Sequence, residues 1–197
     1  MRLKRLSLDW IVGFVWGVGT IIKLDFYIRH PNEVLLMQMA ENIGAQPIIH
    51  HSKRIKTALS VPLSNILPQT LFQLGWTGRL DKSRKYPQGN INELDFIRGY
   101  CYTKSTKDVW HCKNRRGEKI TTDRLRIWGS SDIVANIDRY LVENLETTPK
   151  KPYPYRNKTQ DGYQGECYSV QYQSKKEVPR IVQLIESVSL TNISENG

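Results

Sequence analysis

Arginine and lysine dominate the chemistry open to this sequence. They fall in groups: Lys53, Arg54 and Lys56; Arg79, Lys82, Arg84 and Lys85; Lys113, Arg115, Arg116 and Lys119; Lys150, Lys151, Arg156 and Lys158. Several cations set against one polyanion displace several counterions together, so the grouping favours a phosphate backbone as partner over a merely solvated surface. Arginine adds a second capability, because its planar fork matches both phosphate oxygens and the O6/N7 edge of guanine. Over 197 residues, 29 Lys and Arg stand against 19 Asp and Glu, a formal charge of +10. That balance directs the chain to an acidic partner.

Other reactive residue types lack the spacing that would make them a site. His50 and His51 are adjacent and His111–Cys112 stands alone, so neither offers the paired ligands of a zinc site. Cys101, Cys112 and Cys167 include no CxxC pair, which suggests reduced thiols and an intracellular protein. Cys101 lies among apolar and aromatic residues and reads as a packed core thiol. There is no HExxH and no glycine loop built to cradle nucleotide phosphates. The expectation is no resident metal and no cofactor.

The elements that must position the basic groups follow from periodicity. The least polar run, WIVGFVWGVGTII, Trp10 to Ile22, stops at Lys23 and Asp25. It is shorter than the roughly 20 residues of a membrane span and is followed by no signal-type cleavage site, so it reads as a packed helix. TIIKLDFYI follows as one strand, then NEVLLMQMAENIG as an amphipathic helix with Asn32 as N-cap and Gly44 at its end. QPIIHH and IKTALSV form a strand pair, and LSNILPQTLFQLGW a helix that Pro68 interrupts or delays. After the linker TGRLDKSRKYPQGN the order recurs: ELDFIRGYCYT as helix, DVWHCKNRRGEKITTDRLRIWG as a long hairpin and SSDIVANIDRYLVENL as a serine-capped helix. KKPYPYRN and ECYSVQYQS pair as strands, and KKEVPRIVQLIESV closes. The recurrence points to duplication: residues 1–92 as a first repeat with its linker, 93–190 as a second, 191–197 as a tail.

With WIVGFVWGVGTI heading one half and DFIRGYCYTKST the other, the chain resembles the LAGLIDADG homing endonuclease family over about residues 8 to 188. The resemblance implies an α+β fold: a pseudo-twofold duplication of helix-strands-helix-strands-helix halves, whose antiparallel sheets form a DNA-binding saddle. It implies a monomer with two pseudo-symmetric halves, joined where Gly13, Gly17 and Gly99 let the motif helices approach closely. Double-stranded DNA is the implied partner, and structured RNA the alternative. Carried over onto this sequence, the resemblance implies contacts from Lys53, Arg54 and Lys56, from Lys104, from Lys113, Arg115, Arg116 and Lys119, and from Arg124 and Arg126 on the return strand of the hairpin. In the first half a leading hairpin shortened to one strand implies an asymmetric footprint.

The resemblance fails where the family does its chemistry. An acid at the base of each motif helix holds a divalent cation there, and those positions fall on Val18 and Lys104. The earlier acids of each motif fall on Trp16 and Tyr102. None of these side chains ligates a hard cation, and Lys104 puts a positive charge where the ion belongs. The first reading is therefore a DNA-binding protein that has lost cleavage and acts by site occupancy, as a regulator or repressor. One alternative is an active site-specific endonuclease with relocated ligands such as Asp25 and Asp108, which alone would require Mg2+. The others are an RNA-binding intron splicing cofactor and a protein-interaction module whose charge serves only solubility.

Overall fold

The computed structural model describes residues 6–51, 57–81, 83–113, 116–158 and 164–187. The element order occurs twice. The first pass is α1 (Leu8–Val18), β1 (Thr20–Ile22), β2 (Asp25–Arg29), α2 (Glu33–Asn42), β3 (Ile48–His51), β4 (Thr57–Pro62) and α3 (Ile66–Gln73). The second is α4 (Glu93–Lys104), β5 (Ser105–Lys113), β6 (Lys119–Gly129), α5 (Ser131–Leu145), β7 (Tyr153–Lys158), β8 (Gln164–Tyr172) and α6 (Glu177–Glu186). The sheets repeat as well, in the orders β1-β2-β4-β3 and β5-β6-β8-β7, with every pairing antiparallel. This is the expected α+β duplication.

The chain divides into two compact units. One takes its residues from Met1–Arg79, Pro87–Thr103 and Ser187–Gly197, the other from Leu80–Tyr86 and Lys104–Glu186. In the first, every residue of α1 from Trp10 to Gly17 is buried, which is why the run is apolar on all sides. Ser7 starts α1 by accepting from the Trp10 amide at 3.1 Å. The same hydroxyl donates to Asp95 at 2.7 Å in the first turn of α4, while the Asn92 amide donates to Asp9 at 3.2 Å. The two helix starts are thus tied to each other. Leu36, Met39, Leu59 and Leu71 complete this core around Phe26 and Ile28.

Pro68 neither interrupts nor delays α3. With Asn65 as N-cap it occupies the first turn, where its missing N–H is one the helix has no internal acceptor for. TIIKLDFYI is not one strand but two. Lys23 adopts the left-handed conformation, φ 57°, and turns the chain so that Ile22 pairs with Asp25. The leading hairpin of the first half therefore exists, although β1 has 3 residues where β5 has 9.

In the second unit α5 and α6 cover one face of the sheet. Leu125 and Ile127 of β6 and Val170 and Tyr172 of β8 are buried there with Ile133, Val134, Ile137, Leu141, Val178 and Ile181. The Tyr172 hydroxyl donates to buried Asp138 at 2.6 Å, satisfying the polar groups that this core encloses.

Candidate nucleic-acid interface

The alternation of β6 decides which side chains are offered outward. Since Leu125 and Ile127 face the helices, Arg124, Arg126 and Trp128 occupy the opposite face. The register pairs Asp108 with Arg124, Thr106 with Arg126 and Trp110 with Thr122, so these β5 residues share that outer face. From the far side of the sheet Tyr153 and Tyr155 join it, 64% and 43% exposed, through their pairing with Ser169 and Cys167.

One carboxylate organises the middle of this face. Arg124 donates to Asp108 from Nε at 2.8 Å and from Nη2 at 2.7 Å, and Arg126 donates from Nη2 to the same Oδ2 at 2.6 Å. The hydrogen bond from Arg124 above all, aided by the charges of both arginines, holds the Asp108 carboxyl below its usual range. Reciprocally, the bond to Asp108 raises Arg124. Aromatic rings flank the cluster. The Arg124 guanidinium lies 4.1 Å from the Trp110 ring centre and that of Arg126 5.1 Å from Trp128. Trp128 is itself fixed, donating from its indole N–H to Thr106 at 3.1 Å and packing edge-on to Tyr155.

The other basic residues expected at a polyanion do not all join this face. Lys113 and Lys119 are exposed and directly paired at the end of the hairpin, but alternation sets them on the face opposite Arg124 and Arg126. Arg116 is exposed in the turn, whereas Arg115, Lys53, Arg54 and Lys56 lie outside the described residues. Lys104 is the half-buried last residue of α4, and Val18 the half-buried last residue of α1. Gly13 and Gly99 sit where α1 and α4 approach, and Gly17 is buried in α1. Asp108 as partner of both arginines, and the Trp128, Tyr155 and Tyr153 surface, were not anticipated. Only strand register brings them together, and the hairpin's alternation was their one visible signal.

For a divalent cation the donor set is a poor fit. Val18 is a hydrocarbon and Lys104 an ammonium, so the ends of α1 and α4 offer no hard oxygen from these side chains. Asp108, an alternative ligand, has both oxygens engaged by guanidinium groups that a cation would have to displace. Among the described residues no group of three or more His, Cys, Asp or Glu is placed to hold a metal ion. No helix among them is long and apolar enough to cross a membrane.

No protein-family model and no curated protein matches the chain in sequence. Solved structures match it in three dimensions. The I-LtrWI LAGLIDADG homing endonuclease bound to target DNA is 14% identical, with 93% of this chain and 84% of that one covered at a TM-score of 0.57. The meganuclease I-SmaMI bound to uncleaveable DNA is 12% identical, with coverage of 93% and 83% and a TM-score of 0.60. The LAGLIDADG meganuclease I-AabMI bound to uncleaved DNA is 12% identical, with coverage of 93% and 84% and a TM-score of 0.58. The doubled element order, the repeated sheet order and these matches together establish that the chain has the LAGLIDADG homing endonuclease fold.

Proposed function

We propose that this chain is a sequence-specific double-stranded DNA-binding protein that acts by occupying its site, as a regulator or repressor, and does not cut. The observation that carries the reading is the outer face of β5–β6, where two arginines are held in defined positions between tryptophans on a hairpin that reaches past its own core. A two-stranded ribbon fits the major groove, and fixed arginines there can read base edges as well as follow phosphates. The net charge of +10 supplies the attraction that does not depend on sequence. The solved chains of the same fold were captured on DNA. Loss of cutting rests on the donor chemistry of Val18 and Lys104, which cannot hold an ion beside a scissile phosphate.

One observation favours a second reading. Trp110, Tyr153 and Tyr155 expose 40%, 64% and 43% of their surface on the same face as the arginines, and exposed rings suit unpaired bases better than a closed duplex. Structured RNA is therefore the competitor to use. Binding-site selection from randomised duplex DNA, followed by titration of a selected duplex at several salt concentrations, should give a tight complex. Its affinity should fall by roughly 0.9 log units per log unit of salt for each phosphate contact. Preferential displacement by a hairpin-loop RNA would transfer the function to RNA, and a salt-insensitive or undetectable complex with both would end the nucleic-acid reading.

A further inference from the structure

We infer that Asp108 is a positioning residue that commits the outer face of β5–β6 to G·C base pairs, an inference that rests on the duplex-DNA reading and adds the bases it favours. An unrestrained arginine is a poor reader, because its long side chain can swing to the nearest phosphate. Arg124 cannot do so cheaply. Two of its nitrogens are bonded to Asp108 and its plane lies over Trp110, so the group is restrained at an edge and at a face. Arg126 is held through a single nitrogen to the same Oδ2 and lies near Trp128.

The outward arginine donors suit guanine, and the carboxylate suits the cytosine paired with it. Nη1 of each arginine is not used by Asp108, and an arginine whose inner edge is bound to a carboxylate can still present its outer edge to guanine O6 and N7. Asp108 itself is 34% exposed, more than Arg124 at 12% or Arg126 at 23%, so an approaching base also meets the carboxylate. Oδ1 accepts one guanidinium hydrogen bond and keeps a lone pair, which suits the cytosine N4 amino group. Adenine carries its N6 amino donor where guanine has O6, so an arginine edge that meets two acceptors on guanine meets only one on adenine. A carboxylate accepts from that amino group as it does from cytosine, and the choice of G·C rests on the arginines that Asp108 orients. Residues two apart on a strand are spaced by about 7 Å, roughly two base steps, so the cluster spans two or three adjacent pairs.

The charge count separates this role from phosphate anchoring. Two guanidiniums and one carboxylate leave a single positive charge, whereas a surface built for non-specific attraction would gain from omitting Asp108. Asp108 thus gives up attraction in exchange for orientation.

The test is binding-site selection from randomised duplex DNA with the parent, Arg124→Ala, Asp108→Asn and Asp108→Glu, each checked by thermal melting. Positions whose preference vanishes in Arg124→Ala mark the bases beneath the cluster, and these should be G·C in the parent. Asp108→Asn should relax the preference at those positions by about tenfold, the lower part of the range for losing a well-made base contact. Its affinity for unselected duplex should meanwhile rise, and Asp108→Glu should retain part of the preference. A·T pairs at the marked positions, or an undiminished preference in Asp108→Asn, would overturn the inference while leaving DNA binding intact. If Asp108→Asn fails to fold, the base identity marked by Arg124→Ala and the result with Asp108→Glu decide. A parent that binds no duplex at all overturns the DNA reading, and the inference with it.

Discussion

Gly13 and Gly99 are seated on each other's helices. A Cβ added to Gly13 would fall on the carbonyl oxygen of Phe96, and one added to Gly99 on that of Trp10. Each glycine thus meets the carbonyl three residues before the other. The obstacle on both sides is backbone, which cannot rotate away as the tip of a side chain can.

Alanine is the better helix former by about 1 kcal/mol, so Gly13→Ala or Gly99→Ala would stabilise an isolated helix. In this protein each should destabilise by ~1–3 kcal/mol or more, because α1 and α4 must separate within a close-packed core. Urea denaturation of each variant measures it. An unchanged or higher midpoint would show that the contact relaxes without cost.

Gly13 is legible because glycines four apart in an all-apolar run have few other uses, and Gly99 because it stands at the matching place of the second motif. The β1–β2 hairpin is not. Its turn is Lys23 and Leu24, and no Gly, Asn or Asp marks the left-handed position that Lys23 adopts. The sequence pattern starts this hairpin at Asp108, but β5 begins at Ser105, directly after α4 and with no turn residue between them. Hydrophobic alternation could not reveal this, since most of β5 is exposed. The Asp108–Arg124 pair was hidden for a related reason: which residues face each other depends on hairpin register, and register follows from a turn that composition alone does not fix. The helices were predictable because caps and buried stripes are local, whereas the interface is a product of pairing across the sheet.

His30 gives the stability of the first unit a pH dependence. It packs edge-on to Phe14, and its Nδ1 accepts from the Asn32 amide at 3.1 Å just before α2. Burial lowers its pKa from 6.5. A depressed folded pKa means that the unfolded chain takes up the proton first, so stability is full above pH 6.5 and declines as pH falls towards the folded value. Asp108 and Glu177, also depressed, belong to the second unit and add losses there only in the carboxylate range. His30→Phe should flatten the decline just below pH 6.5 in urea midpoints measured across pH and leave the acid limb in place. Identical profiles for parent and variant would remove His30 as the cause.

Lys104 gives the test of lost cutting. Duplex DNA bound by the parent should stay intact with Mg2+ or Mn2+, since the ends of α1 and α4 carry Val18 and Lys104 instead of carboxylates. If Lys104 takes up a phosphate instead of an ion, Lys104→Ala should lower the slope of log affinity against log salt by ~0.9. Cation-dependent cleavage by the unaltered protein would restore the endonuclease reading, and an unchanged slope would take Lys104 out of the interface.

Lys113 and Lys119 face each other directly at the end of β5–β6 and both are exposed. Like charges in directly opposed positions destabilise a strand pair, and an opposed pair of unlike charges contributes roughly 0.2–1 kcal/mol. A fold selected for stability alone would not place two lysines there, whereas a polyanion lying near the hairpin tip would turn the repulsion into attraction. Lys119→Glu therefore has two consequences of opposite sign. The isolated protein should gain stability, read as a higher urea midpoint at low salt that converges on the parent as salt screens the pair. Duplex affinity should fall, and the salt slope should shrink by about 0.9 or more, because one phosphate contact is lost and a repulsive charge is introduced. Weaker binding without added stability would mean that the lysines already avoid each other by turning into solvent. Added stability with unchanged affinity would place the polyanion only on the opposite face, against Arg124 and Arg126.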